Sequence, residues 1–315
     1  MRAFIVPAAG EQPRLSDIPV PAVTDGQVLV RVKAAGLNAL DNIIATGMMA
    51  GMLPYQYPVV IGRDAAGVVE AVGRGVDHVR AGDEVLGQVL LAPPIHHGTI
   101  AEYALLPAAA VAIKPAALDF VTAAAIPLAA AAAIAAVEAI EPRPGEIVLV
   151  HGASGGVGSY AVQMLAAEGV SVITTGAPGD VERLTSLGAR TVILYTRGSV
   201  ADQVQAVYPD GVDALIELVA AKPEDAPFSA VRKGGRVATT TAAADDQTLA
   251  AAGLTGGSVS AWPVREVIGP LAGQAAAGEL KVDVSTVLPL DRAPEGLATV
   301  ASGAARGKIV IKIAD

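Results

Sequence analysis

No cysteine occurs among the 315 residues. Disulfides, thiol nucleophiles and thiolate-held metal sites are therefore excluded at the outset. Aromatic side chains are scarce, with 3 Phe, 6 Tyr and 1 Trp. No run of Lys or Arg occurs, and the formal net charge is −9, which argues against general affinity for nucleic acid or an anionic membrane surface. The longest apolar stretch, residues 123–137, contains Pro127 and is mostly alanine. It is too short and too weakly hydrophobic to span a bilayer. The opening Met1-Arg-Ala-Phe-Ile-Val lacks the long apolar core and small-residue cleavage site of a secretory signal. A soluble cytoplasmic protein is the expectation.

What the chain has is alanine, glycine and short aliphatic runs, the composition of helices packed closely on a sheet through small side chains. Its length suits two domains, or one large one. Residues 1 to about 115 read as β-rich, with short Val/Ile/Leu runs at 3–6, 27–35, 59–72, 84–90, 100–106 and 111–113, punctuated by Gly and Pro. Such spacing suggests a barrel or sandwich. Within this part Gly36-Leu-Asn-Ala-Leu-Asp41 reads as a loop leading into a short helix. Asn38 either caps that helix, which its residue type favours, or faces a ligand. Asp41 reads as a structural hydrogen-bond or salt-bridge partner. His96-His97 does not suit a metal, because neighbours on an extended segment point to opposite faces and no third ligand is close in sequence. His78 and His151 are isolated and read as structural.

From about 118 the pattern changes. Alanine-rich helices are expected at 119–125 and 128–138. An apolar strand, Ile147 to Val150, then runs into Gly152-Ala-Ser-Gly-Gly-Val-Gly158, and helical periodicity follows. Strand, glycine turn and helix together bring backbone N–H groups and a helix N-terminus up to a phosphate. Strands are then expected at 170–174, 191–195, 212–218, 236–240 and 258–261, with helices at 181–187, 199–207 and 223–232. That alternation implies a parallel sheet covered by helices, with the pyrophosphate of a dinucleotide at the glycine turn after its first strand. The tail, 264–315, reads as two helical segments and a closing strand, 308–313, packed on the first part.

Several segments together resemble the medium-chain dehydrogenase/reductase superfamily, and within it the zinc-independent quinone oxidoreductase-like (zeta-crystallin-like) branch. They are Val30-Arg-Val-Lys-Ala-Ala-Gly-Leu-Asn-Ala-Leu-Asp41, Pro58-Val-Val-Ile-Gly-Arg-Asp-Ala-Ala-Gly-Val-Val69, Gly98-Thr-Ile-Ala-Glu-Tyr103, His151 to Gly158, Leu187-Gly-Ala189, Gly211-Val-Asp213, Lys233-Gly-Gly-Arg236 and Arg306-Gly-Lys-Ile-Val310. The resemblance implies an α/β protein with a GroES-like β-barrel catalytic domain (1–117 and 264–315) and a Rossmann domain (118–263). It implies hydride transfer from NAD(P)H to a quinone or a carbonyl-conjugated alkene. Zinc-dependent members place a cysteine near Asn38 and a Gly-His-Glu where this chain has Gly62-Arg63-Asp64, so no catalytic zinc is expected.

By position, the resemblance assigns the pyrophosphate to Ser154, Gly155, Gly156 and Val157, and the adenosine ribose to Thr175 and Gly176. The absence of a carboxylate in Thr174-Thr175-Gly176 favours NADPH over NADH. Family members often place a Lys or Arg where this chain reads Ala177-Pro-Gly-Asp180, leaving Arg183 or Arg197 for the 2′-phosphate. Tyr195, Val219, Ala220, Thr239, Thr240 and Lys308 match other cofactor-side positions, and Asn38 is the candidate positioning residue. A tyrosine and a threonine of some members become Ile43 and Ala132, and no general acid is assigned. Three functions follow: an NADPH-dependent quinone or enone reductase, an enoyl reductase on a biosynthetic intermediate such as a polyketide, or a non-catalytic NADPH-binding sensor or structural paralogue. Strand 258–261 at the sheet edge suits pairing in a homodimer.

Overall fold

A computed structural model describes residues 1–314. Asp315, which closes the expected tail, lies outside them. The chain forms two compact units, Met1–Ala131 with the segment from Trp262 onward, and Ala132–Ala261.

The first unit begins with β1 (Arg2–Val6), β2 (Arg14–Asp17), β3 (Gln27–Gly36) and helix α1 (Ala39–Ala45). It continues through β4 (Val59–Val60), β5 (Asp64–Val72), β6 (Glu84–Gln88), β7 (Tyr103–Pro107), β8 (Val111–Ile113) and α2 (Phe120–Ala124). In β3 Arg31 is exposed, Leu29 is buried, and so are Val28, Val30 and Val32. The three valines share one apolar core with Phe4, Ile61, Ile100 and Leu106. The expected strand 59–72 is broken at Gly62, which takes φ +101 and whose added Cβ would lie 2.5 Å from Thr99 Oγ1. That break separates β4 from β5 and lets Arg63 and Asp64 turn into the unit.

Helix α3 (Pro127–Ala139) leads into the second unit. There β9 (Ile147–His151), α4 (Gly156–Ala167), β10 (Ser171–Gly176), α5 (Val181–Ser186), β11 (Thr191–Leu194), α6 (Val200–Val207), β12 (Val212–Glu217), β13 (Val231–Thr239), α7 (Asp246–Ala251) and β14 (Thr255–Ser258) follow in order. Among the described residues the sheet has six strands in the order β11-β10-β9-β12-β13-β14, all parallel. This is the doubly wound arrangement, and its strand order reverses between β9 and β12. Val148, Leu149 and Val150 of β9 are fully buried, as a strand covered on both faces requires.

The expected helix at 223–232 is not formed. Two single 3₁₀ turns, Pro223–Asp225 and Phe228–Ala230, occupy it, and β13 already begins at Val231. Pro227 cannot donate within a helix and would break it at mid-length. The helix that does form is α7, capped by Asp245, whose carboxylate accepts from Thr248 N at 2.7 Å. The last sheet strand is Thr255–Ser258 rather than 258–261, and it lies at the sheet edge.

The tail returns to the first unit as α8 (Arg265–Ala277), β15 (Val284–Pro289), α9 (Ala293–Ala301) and β16 (Lys308–Lys312). Strand β16 pairs antiparallel with β3, Val310 opposite Gly36 and Ile311 opposite Ala35. The sequence reading divides the chain at 117/118, whereas the compact units divide at 131/132. The reason is α2, which packs on β3 and β5. A Cβ on Gly36 would sit 2.2 Å from Ala124 O. Among the described residues no helix is long and apolar enough to cross a membrane.

Candidate active site

In the second unit, β9 ends at His151 and the chain turns at Gly152, φ +98. A Cβ at Gly152 would meet Val219 Cγ2 at 2.5 Å, and one at Gly158 would meet Gly152 O at 2.4 Å. These two glycines let the turn lie against the loop after β12 and against its own helix. Gly155 differs, because its added Cβ would find only Gly152 O, at 3.6 Å. It is the N-cap of α4, and no side chain caps that helix. The first-turn N–H groups, from Gly156 to Gly158, have no intrahelical acceptor. An open glycine backbone beneath an uncapped twelve-residue helix fits the pyrophosphate of a dinucleotide.

The neighbouring strand end is tied to this turn. Gly152 N donates to Thr175 Oγ1 at 3.0 Å. Ser154 Oγ donates to Asp180 Oδ2 at 2.8 Å, and Ala177 N donates to the same oxygen at 3.0 Å. Arg183 Nη2 donates to Ser154 O at 3.1 Å and approaches Asp180 Oδ1 at 3.4 Å. The structure thus gathers Ser154, Gly155, Gly156, Val157, Thr175, Gly176 and Arg183 at the carboxyl ends of β9 and β10. Asp180, the hub of these contacts, was not anticipated. Its sequence signal is Pro178-Gly-Asp180 just after a strand, a proline-started turn that ends in a side-chain acceptor.

On the other side of β9, Glu217 ends β12 and is fully buried. Its Oε1 accepts from Val219 N at 2.7 Å and Ala220 N at 2.8 Å, and its Oε2 lies 2.7 Å from His151 Nδ1. Val219 and Ala220 are thereby fixed beside the glycine turn. Thr240 N donates to Glu217 O at 3.3 Å, and Thr239 is buried at the end of β13. His151, read as isolated, is therefore one half of a pair whose other half lies 66 residues on. Tyr195 and Arg197 sit in an exposed 3₁₀ turn after the outer strand β11, with β10 between that strand and β9.

Asn38 and Lys308 lie in the first unit. Asn38 is the N-cap residue of α1, but its side chain does not cap. Its backbone N donates to Asp41 Oδ2 at 2.8 Å, while its amide points elsewhere. Nδ2 donates to Asp64 Oδ2 at 2.9 Å, and Oδ1 accepts from Lys308 Nζ at 2.6 Å. Lys308 Nζ also donates to Leu37 O at 2.8 Å and stands 3.6 Å from Asp64 Oδ2. Asp64 Oδ1 accepts from Leu128 N at 3.1 Å. Both charged residues are buried. Burial drives Asp64 up and Lys308 down from their ordinary pKa values, and their mutual attraction works against both shifts. The Lys308 ammonium is thus committed to Leu37, Asn38 and Asp64, and Asn38 is itself half-buried.

Arg63 is buried beside this network. Its Nε donates to Gly62 O at 2.9 Å and its Nη2 to His97 O. Burial raises Asp41 to about 7 despite the pull of Arg63 and the Asn38 N–H, and Asp41 Oδ1 is buried without a partner. Ile43, in α1, is 37% exposed, so the position where some members carry tyrosine offers an apolar surface. Ala132 is buried in the second unit. His96 Nδ1 bonds Gln56 O and His78 Nε2 bonds Val111 O. Among the described residues no three His, Asp or Glu side chains converge as metal ligands.

A β-rich unit joined by strand β16 and a doubly wound sheet with an open glycine turn define a dinucleotide-dependent dehydrogenase architecture. The family described as alcohol dehydrogenase GroES-like domain matches residues 24–116, and the one described as zinc-binding dehydrogenase matches 187–311. The chain is 32% identical to the quinone oxidoreductase of Sus scrofa over 227 residues, 70% of this chain and 66%, just under two thirds, of that relative. It is 32% identical to the 2-methylene-furan-3-one reductase of Solanum lycopersicum over 303 residues, 94% of this chain and 74% of that one. A crystal structure of an NAD-dependent alcohol dehydrogenase superposes with a TM-score of 0.88 at 32% identity, covering 99% and 100% of the two chains. The protein belongs to the medium-chain dehydrogenase/reductase superfamily, an oxidoreductase family, with quinone oxidoreductases among its relatives.

Proposed function

We propose that the protein is a zinc-independent reductase that uses NADPH and delivers hydride to a quinone or to an alkene conjugated with a carbonyl. The observation that carries the reading is the open turn at Gly155 under the uncapped α4, with Ser154 and Arg183 at its rim. The bound nicotinamide would supply the hydride, and the chain's part is to bind and orient.

Backbone N–H groups of Gly155, Gly156 and Val157 hold the pyrophosphate in this reading. Thr175 and Gly176 flank the adenosine ribose. Asp180 is a carboxylate beside that strand end, and its oxygens are committed to Ser154, Ala177 and Arg183. The Arg183 guanidinium, bonded to Ser154 O of the turn, is the group that supports a 2′-phosphate, hence NADPH; Arg197 is exposed after β11. Val219, Ala220, Thr239 and Thr240 line the opposite side of the crevice.

In the first unit Lys308 and Asp64 fix both ends of the Asn38 amide, which suits it to a positioning role. Arg63 supports the zinc-independent reading, since a guanidinium has no lone pair to ligate a metal. The proton is drawn from water. The similarity to a 2-methylene-furan-3-one reductase favours the conjugated alkene as acceptor class. The exposed edge strand β14 is the surface proposed for a homodimer.

The test is NADPH oxidation by purified protein with simple quinones, conjugated enones and enoyl thioesters, alongside binding of NADPH and NADH. Turnover of enoyl thioesters alone would move the assignment to a biosynthetic enoyl reductase. Tight NADPH binding with no acceptor turned over would leave a sensor or structural paralogue and refute the enzyme.

A further inference from the structure

His151 and Glu217 stand on the strand pair where the sheet order reverses, opposite one another in register. Ligands of open parallel sheets bind in the crevice outside the carboxyl ends of the strands at that reversal. Leu218 N donates to His151 O at 3.1 Å, and Gly152 has no Cβ to push the 218–219 segment away. The glycine turn and the loop after β12 therefore meet at this pair.

The chemistry of the pair is directional. Glu217 is fully buried and already accepts from two backbone N–H groups. A carboxylate only accepts, so the proton of the short contact sits on His151 Nδ1. In the neutral ring this leaves Nε2 as a bare acceptor. Among the described residues the ring's hydrogen bond runs through Nδ1 and none through Nε2. The side chain is 12% exposed, so the ring is not sealed inside the sheet.

We infer that His151 is a binding residue for the dinucleotide. Its Nε2 accepts a hydrogen bond from a ribose hydroxyl, and Glu217 is the positioning residue that sets the tautomer. The inference rests on the reading that this unit binds a nicotinamide dinucleotide. Phosphate oxygens offer no proton to an acceptor, whereas ribose hydroxyls do, and a ribose is bonded directly to the pyrophosphate held one turn away.

The experiment is ¹⁵N NMR of the histidine rings of the wild-type protein, with and without saturating NADPH. The chain has 4 histidines, so the ring signals are few. The expected result is an Nδ1–H tautomer at His151 whose Nε2 resonance moves on binding. Dissociation constants are measured in parallel. His151→Phe keeps a ring of similar size without the acceptor and weakens NADPH by roughly 5–10-fold, one hydrogen bond's worth. Glu217→Gln retains the carbonyl for Val219 and Ala220 but presents NH₂ to Nδ1. The tautomer reverses, and affinity falls by a similar factor although the imidazole remains. A Nε2 resonance that stays put in a protein shown to bind NADPH overturns the inference, as does a His151→Phe affinity within twofold of wild type. Wild-type protein that binds neither NADPH nor NADH overturns the parent reading as well.

Discussion

Lys308 Nζ lies 2.6 Å from Asn38 Oδ1 although the two residues are 270 positions apart. The contact fixes which way the Asn38 amide faces. A cation can be met only by the carbonyl oxygen, and the Asp64 carboxylate only by the NH₂. The pairing of β16 with β3 brings Lys308 to this place, so the last strand of the chain orients a side chain at the start of its first helix.

Lys308→Met leaves Asp64 buried without its countercharge. Removing one partner of a buried pair costs about 3–5 kcal/mol, and urea unfolding is expected to show a loss of that size. Adding Asp64→Asn to Lys308→Met recovers part of it. Unchanged stability in the single variant would show that the buried pair is not coupled as described.

Asp41 carries a pH signature. Its folded pKa, about 7, lies above the ordinary 3.8 because of burial. Between those values the folded protein holds a proton that the unfolded chain has released. This contribution to stability is complete below the lower value and is lost as pH rises through the upper one. Asp41→Asn keeps an acceptor for Asn38 N and has no proton to lose. Its stability relative to wild type should therefore climb by roughly 1.4 kcal/mol per pH unit inside that window. Unfolding free energies of both proteins from pH 5 to pH 8 (about the accessible range for such a measurement) check it, and a flat difference refutes it.

Two glycines of one turn should respond differently to alanine. A Cβ on Gly158 strikes backbone at 2.4 Å, so Gly158→Ala is expected to destabilise the second unit and lower its Tm. A Cβ on Gly155 meets nothing closer than 3.6 Å, so Gly155→Ala should fold normally and yet weaken the dinucleotide by on the order of tenfold, through steric exclusion at the phosphate. Calorimetry with and without NADPH separates the two. Equal loss of stability in both variants would contradict the assignment.

Arg183→Ala should weaken NADPH by about tenfold, the scale of one charge-assisted hydrogen bond, and leave NADH nearly unchanged. Arg197→Ala should change neither. Equal wild-type affinity for the two cofactors would refute the preference for NADPH.

The glycine turn and the alternation of strands and helices after it were legible in the residues, because each depends on neighbours a few positions apart. Where local signals conflict, the reading failed: 223–232 has helical composition, but Pro227 within it breaks the helix, and polar residues around Asp245 hid α7. Short strands such as β2 and β15 had too little periodicity to register.

By itself, then, the sequence determined the fold class and the place of the glycine turn. Only the tertiary structure decided that Asn38 is held by Lys308 and Asp64 rather than capping its helix, that Asp180 gathers Ser154 and Arg183, and that His151 has Glu217 as its partner. Those contacts follow from strand register and from chain closure. A residue's own neighbourhood in sequence carries no record of which distant side chain the sheet will set beside it.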